Sequence, residues 1–179
     1  MNLWNPYLFA ATYVGQGVVA LIAMSVLAGV DAPPPPPAAE GSGRPLREVI
    51  AQPKFVVAAV CGVVSYALMN LVMTSAPLAM KMCGLTLSDS NLAIQWHVIA
   101  MYGPSFFTGS LIGRFGAGRI VALGLALEAA AAIVDLSGQS VGHFWTGLIL
   151  LGVGWNFGFI GASAMVVEAH SALERNKVQ

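Results

Sequence analysis

Four side chains with hydrogen-bonding or proton-carrying chemistry sit inside long apolar runs: Asn70, His97, Glu128 and Asn156. Polar groups in such a setting are costly, so each must face protein, a water-filled cavity or a partner group. His97 follows Gln95 and Trp96, and a histidine titrates near neutral pH. It is therefore a candidate to carry a proton or hold a solute, or else it bonds a neighbouring carbonyl. Trp96 is equally suited to an interfacial belt. Asn70 lies with Gly62, Tyr66 and Thr74 at every fourth residue, a stripe on one helical face. That stripe lines a cavity or binds another helix. Trp155 and Asn156, in the run Gly154-Trp155-Asn156-Phe157-Gly158, pair a large aromatic with an amide. They suit an organic ligand, or close helix packing with one interhelical hydrogen bond. Glu128 among alanines is a proton-coupling group or a hydrogen-bond partner of a neighbouring helix, and the second reading is favoured because no basic partner is visible nearby.

Enzyme chemistry finds no support in these residues. His97, His143, His170 and Glu128 are scattered, without the spacing of a zinc protease and without a glycine-flanked serine. Cys61 and Cys83 fall near opposite ends of one expected helix, on the order of 33 Å apart, too far for a disulfide. They read as two inert thiols, and no metal or cofactor is expected.

The elements that must position these groups are membrane helices. The 179 residues are 57% hydrophobic and 9% charged, with mean hydropathy +0.76. A soluble domain carries about 25% charged residues, so too little charge is present to coat a globule of this size. Net charge is zero, which gives nucleic acid no electrostatic footprint. The apolar runs predict an all-α, polytopic membrane protein with five spans: Tyr7–Val30, Phe55–Met80, Asn91–Ile112, Ile120–Val134 and Phe144–Val167. Each but the fourth is at or near the length that crosses about 30 Å of hydrocarbon. The first run has no Lys or Arg before it and is long, which favours a span over a signal peptide. Residues 31–53 form a linker with five consecutive prolines, Pro33–Pro37, expected as an extended spacer rather than a peptide ligand. The resulting organisation is 1–30 first helix, 31–53 linker, 54–167 four-helix segment and 168–179 tail.

Between the third and fourth runs lies Gly109–Arg119, reading G-S-L-I-G-R-F-G-A-G-R. Its glycines, Gly109, Gly113, Gly116 and Gly118, permit a tight reversal, and Arg114 and Arg119 must lie in water or among headgroups. Alternation of five spans then places seven of the eight Lys/Arg on one side and Lys81 alone on the other. Positive charge marks the cytoplasm, giving an outside N-terminus and an inside C-terminus in a bacterial plasma membrane.

Gly109-x-Leu111-x-x-Arg114-Phe115-Gly116-x-x-Arg119 resembles the signature loop of the major facilitator superfamily, G-x-L-a-D-R-x-G-R-R/K. Gly113 stands where the family has aspartate, and Ala117-Gly118 where basic residues are common, which fits the weaker second copy between helices eight and nine. The basic linker resembles the family's central cytoplasmic loop, and Glu174–Gln179 the loop before helix eleven. The five runs thus resemble helices six to ten of a twelve-helix bundle. The runs Gln95-Trp96-His97 and Gly154-Trp155-Asn156-Phe157 resemble bacterial members grouped with riboflavin-type uptake carriers. The resemblance implies a secondary transporter for a small organic solute that rocks two halves about a central site. It implies that Tyr66, Asn70, Gln95, His97, Trp155 and Asn156 lie near substrate, with Gly109, Arg114, Gly116 and Arg119 as the conformational-switch loop. It places Glu128 on a peripheral helix, which weakens a proton-coupling role. Five helices are fewer than the family needs, so the chain is expected not to transport alone and to require the remaining helices, in cis or in trans, within the bilayer. The rival expectation is a small helical protein that assists or regulates a membrane partner.

Overall fold

The computed structural model of the chain describes residues 10–31, 43–171, 173–174 and 178. The proline run Pro33–Pro37 and the expected helical start at Tyr7–Phe9 lie outside them. Every described element is an α-helix: α1 Ala10–Ala28, α2 Leu46–Ile50, α3 Pro53–Met82, α4 Leu87–Tyr102, α5 Ser105–Phe115, α6 Ala117–Ser137 and α7 Val141–Glu168. The chain divides into two units, Met1–Ala39 and Glu40–Gln179. The first carries α1, an uninterrupted apolar helix.

Four helices, α1, α3, α6 and α7, are long and apolar enough to cross a membrane. The third expected run differs from the expectation of one plain span. It becomes α4 and α5, interrupted at Gly103–Pro104. Pro104 has no N–H to give the ladder, yet Gly103 and Pro104 both keep right-handed helical angles (φ −54, ψ −47 and φ −61, ψ −20). The chain therefore runs on through the break. The expected linker also differs, since α2 forms within it.

The reversal between the third and fourth runs is tighter than the glycine content suggests. Gly109 and Gly113 are helical residues of α5, and the turn is made at Gly116 alone, at φ +86, a region that favours glycine. At the other end, α3 closes with Leu85 N–H bonding the Met80 carbonyl and Gly84 N–H that of Lys81, the paired pattern of a glycine-terminated helix. Thr86 and Asp89 then exchange side chain-to-backbone bonds at 3.1 and 3.0 Å and start α4 as a capping box.

In the second unit α7 is the central helix. Its Gly154, Gly158 and Gly161 face α6: a Cβ on Gly124 of α6 would meet the Gly154 carbonyl oxygen at 2.7 Å and the Gly158 Cα at 2.8 Å. Close backbone approach of this kind is how membrane helices gain packing contact where lipid offers no hydrophobic drive. A second cluster, Ala76, Met80, Ala93, Ala131, Leu148 and Leu151, joins α3, α4, α6 and α7. Lys54 of α3 reaches Glu168 of α7 at 2.7 Å, so α3 begins where α7 ends. The first turn of α6 lies beside Gly161 near that same end. The linker end, the Gly116 turn and the tail thus share one end of the bundle.

Candidate functional site

His97, Met101, Ser105 and Thr108 of α4 and α5 all meet α7. His97 is 1% exposed, and its Nδ1 lies 2.8 Å from the Leu148 carbonyl. Asn156 is fully buried. Its Nδ2 donates to the Met101 carbonyl at 2.8 Å and to Ser105 Oγ at 2.7 Å, while Oδ1 accepts from Thr108 Oγ1 at 2.6 Å. These partners straddle the Gly103–Pro104 break, where the helical ladder is interrupted. Broken membrane helices survive when a neighbour satisfies the freed backbone groups, and Asn156 is that neighbour. Both groups are thus held at the interface of α4 and α5 with α7, and both Asn156 Nδ2 hydrogens are committed there.

The remaining candidates are more open. Tyr66 is half exposed. Asn70 is exposed, and its Nδ2 bonds the Tyr66 carbonyl of its own helix at 3.0 Å; Gln95 is exposed on α4. Tyr66 and Trp155 are brought together through Phe159. The Tyr66 and Phe159 rings are 5.9 Å apart, Phe159 and Trp155 stack at 5.2 Å with planes 7° apart, and Tyr102 meets Trp155 edge-on at 6.3 Å. This quartet joins α3, α4 and α7 through ring contacts. Phe159 and Tyr102 were not among the residues singled out from sequence. The available signal was the spacing of Phe159 four residues after Trp155, which puts both on one helical face.

Glu128 lies on the other side of α7. It is 4% exposed and accepts a hydrogen bond from Ser65 Oγ of α3, a partner on a neighbouring helix. With Val64, Leu68, Asp135 and Leu151 it lines a cavity of about 350 Å³. It makes no contact with the aromatic quartet in the geometry above.

The residues expected to form a switch loop lie towards the end shared by linker and tail. Arg114 and Arg119 are exposed, and the Arg114 guanidinium lies 5.3 Å from the Phe115 ring. Beside them the linker is fastened to the tail. Arg44 Nε and Nη2 donate to Glu174 Oε1 and Oε2 at 2.7 and 2.9 Å, and the Arg44 and Ser171 amides add 2.9 and 2.8 Å bonds. The Arg44 guanidinium, with help from the Ser171 N–H, holds the Glu174 carboxyl well below the usual carboxylate range. Among the described residues no cluster of His, Cys, Asp or Glu is placed to hold a metal ion.

The chain is similar in sequence to known bacterial proteins. The chain is 51% identical over 175 residues to the riboflavin transporter RfnT of Brucella anthropi, covering 96% of the chain and 44% of that protein. It is 30% identical over 186 residues to YdeG of Bacillus subtilis, an uncharacterized MFS-type transporter, covering 43% of it. It is 35% identical over 127 residues to a second such transporter of that organism, YddS, covering 29% of it. No family model matches, and no solved structure matches. The chain spans less than half the length of these curated relatives. All three are transporters rather than enzymes, and this chain is not an enzyme. Joined to the apolar helices and the glycine–arginine turn, these similarities make the chain a partial transporter sequence of the major facilitator type, a multi-pass helical membrane protein.

Proposed function

We propose that the chain contributes the equivalent of helices six to ten to a secondary transporter that moves a small organic solute by alternating access. The observation that carries this reading is 51% identity to a riboflavin transporter along 96% of the chain. Riboflavin or a compound of similar size and polarity is accordingly the first solute to test. The substrate face is the cleft of α3, α4 and α7, where Tyr66 and Trp155 contact solute and Asn70 and Gln95 border it. His97 and Asn156 hold the floor of that cleft. Gly109, Arg114, Gly116 and Arg119 form the switch loop on the cytoplasmic side of a bacterial inner membrane, with the N-terminus outside and the C-terminus inside. Proton coupling would fall to His97 before Glu128, because His97 adjoins the cleft and Glu128 lies behind α7.

Alternating access needs two facing halves, and one half encloses nothing. The chain alone should carry no flux. Proteoliposomes containing it should take up no labelled riboflavin above empty vesicles. Co-reconstitution with the helices of the Brucella relative that lie outside the matched segment should restore uptake. Saturable uptake by the chain alone, or none with the helix set complete, would overturn the proposal.

A further inference from the structure

Between α3 and α6 runs a groove that holds two carboxylates with bonds to spare. Glu128 is 4% exposed. Its Oε1 accepts from Ser65, and its Oε2 is buried with no partner among the described residues. The cavity it lines adjoins a second, of about 460 Å³, and Val72, Ala132 and Asp135 line both. Asp135 likewise has Oδ1 buried and unpartnered, with His143 as an electrostatic neighbour near the helix end. No Lys, Arg or His lines either cavity. Leu148 and Leu151 of α7, at 1% and 2% exposed, form the floor.

The shape and charge of the groove narrow what can fill it. Along α6 the lining runs from Leu125 to Leu136, about 16 Å or three helical turns, longer than a small solute needs. A lipid chain would fill that length and leave the carboxylate oxygens unpaired. An inorganic cation wants about six oxygen ligands, and the two carboxylates stand seven residues, about 10 Å, apart along the axis. The chain cannot answer Glu128 itself. Glu128 sits midway along α6, whereas Lys54, Lys81, Arg114 and Arg119 stand in the first or last turn of their helices. The described helix α1 carries no charge. A second copy would therefore offer helix ends and no mid-span cation. The relative RfnT, however, has more than half of its length outside the matched segment.

We propose that the groove seats a membrane helix from the part of the transporter outside this segment, and that this helix brings a Lys or Arg side chain to Glu128 Oε2. This rests on the reading above that further helices complete the carrier. An ionisable group in lipid is paired or faces water, and one member of a buried pair left unmet is costly. Ala129 and Ala132 on the lining are small enough to let the incoming backbone come close. Glu128 is thus a docking residue that joins two parts of one carrier, on the far side of α7 from the aromatic quartet.

The test uses the chain with Cys61→Ser and Cys83→Ser, and with a benzophenone attached at Ala132→Cys. It is assembled in micelles with the helices of the Brucella relative that lie outside the matched segment. Illumination should give an adduct with one of those helices, and that helix should carry a Lys or Arg within about two turns of the adduct. The same label at Ile133→Cys, a residue 69% exposed that lines neither cavity, should give mainly lipid or detergent adducts. Glu128→Gln keeps an acceptor for Ser65 but removes the charge. It should weaken assembly of the two parts about tenfold, the factor for one charge-assisted bond. Glu128→Lys should abolish assembly, and exchanging the incoming helix's Lys or Arg for Glu should restore it. Because the exchange is read as a rescue, a folding defect in one single variant does not decide the outcome. Adducts with lipid or with a second copy alone, an incoming helix without a Lys or Arg near the adduct, unchanged assembly in Glu128→Gln, or an exchange that fails to rescue would overturn the proposal. Riboflavin uptake by the complete helix set with no helix adduct at Ala132→Cys would remove the docking groove and leave the transporter standing. An adduct and a rescued exchange without any uptake would do the reverse.

Discussion

Replacing Asn156 with leucine isolates what a single amide does at the Gly103–Pro104 break. The side chain makes three hydrogen bonds, to the Met101 carbonyl, Ser105 Oγ and Thr108 Oγ1. Interhelical hydrogen bonds in membranes average about 0.6 kcal/mol and reach about 1.7, so three give about 2 kcal/mol and at most about 5. Leucine fills a similar volume, which keeps a cavity cost out of the measurement. The Met101 carbonyl is then left without its donor, which moves the expected loss towards the upper part of that range. Thr108→Val removes one of the three bonds and should cost about 0.6 kcal/mol by the same average. The assay is equilibrium unfolding of the purified chain in mixed micelles, followed by helical circular dichroism, with the double variant completing a cycle. Because the two residues touch, their effects should not add. A loss below about 0.5 kcal/mol for Asn156→Leu, or strict additivity with Thr108→Val, would refute the claim that Asn156 staples the break.

Three further perturbations test the packing and the end that the Gly116 turn shares with the tail. Gly124→Ala places a Cβ against the backbone of Gly154 and Gly158 and should destabilise by about 1–3 kcal/mol in the same unfolding assay; Gly113→Ala, whose Cβ meets nothing within 4 Å, should be neutral or stabilising by up to about 1 kcal/mol. Gly116→Ala forces a side chain into φ +86 and should cost about 1–3 kcal/mol, whereas alanine at helical Gly109 should not. The Glu174 carboxyl is depressed by Arg44, so the clamp adds stability at and above the ordinary carboxylate range and loses it only as pH falls towards the depressed value. The Arg44 amide, bonded to Glu174 Oε1, should stay protected from hydrogen exchange at pH 4, and Glu174→Gln should remove that protection. Protection lost between pH 5 and 4 would contradict the sign of the shift.

The helices were legible in the sequence because long apolar runs admit few alternatives. The ends of α3, α6 and α7 fall within three residues of the expected boundaries. The Gly103–Pro104 break was visible only as a proline near mid-span, since spacing cannot say whether a neighbour will satisfy the interrupted ladder. The pairing of Ser65 with Glu128 joins residues 63 apart, and periodicity says nothing about which helices become neighbours. For the same reason Asn156 read equally well as a ligand group or a packing group, and spacing could not show the bonds it makes to α4 and α5. The glycine turn misled differently. Four glycines look like a loop, yet two of them continue α5, because glycine lowers helix propensity by only about 1 kcal/mol and tertiary packing overrides it.

What the sequence could not show is that α7 divides its labour by face. The side carrying Gly154, Gly158 and Gly161 lies against α6 at backbone distance, with no polar bond from those residues needed to hold it. The side carrying Leu148, Gly152 and Asn156 binds α4 and α5 through committed polar contacts. Only the sector between α3 and α4 remains, and it carries Trp155 and Phe159. A helix that is fixed on two sides can hold an aromatic surface rigidly on the third, which is the condition for a site to discriminate by shape. The same division explains why Glu128, though buried and unpaired at one oxygen, is poorly placed to sense a solute. His97 lies on the committed side, fewer than two helical turns before the break at Gly103.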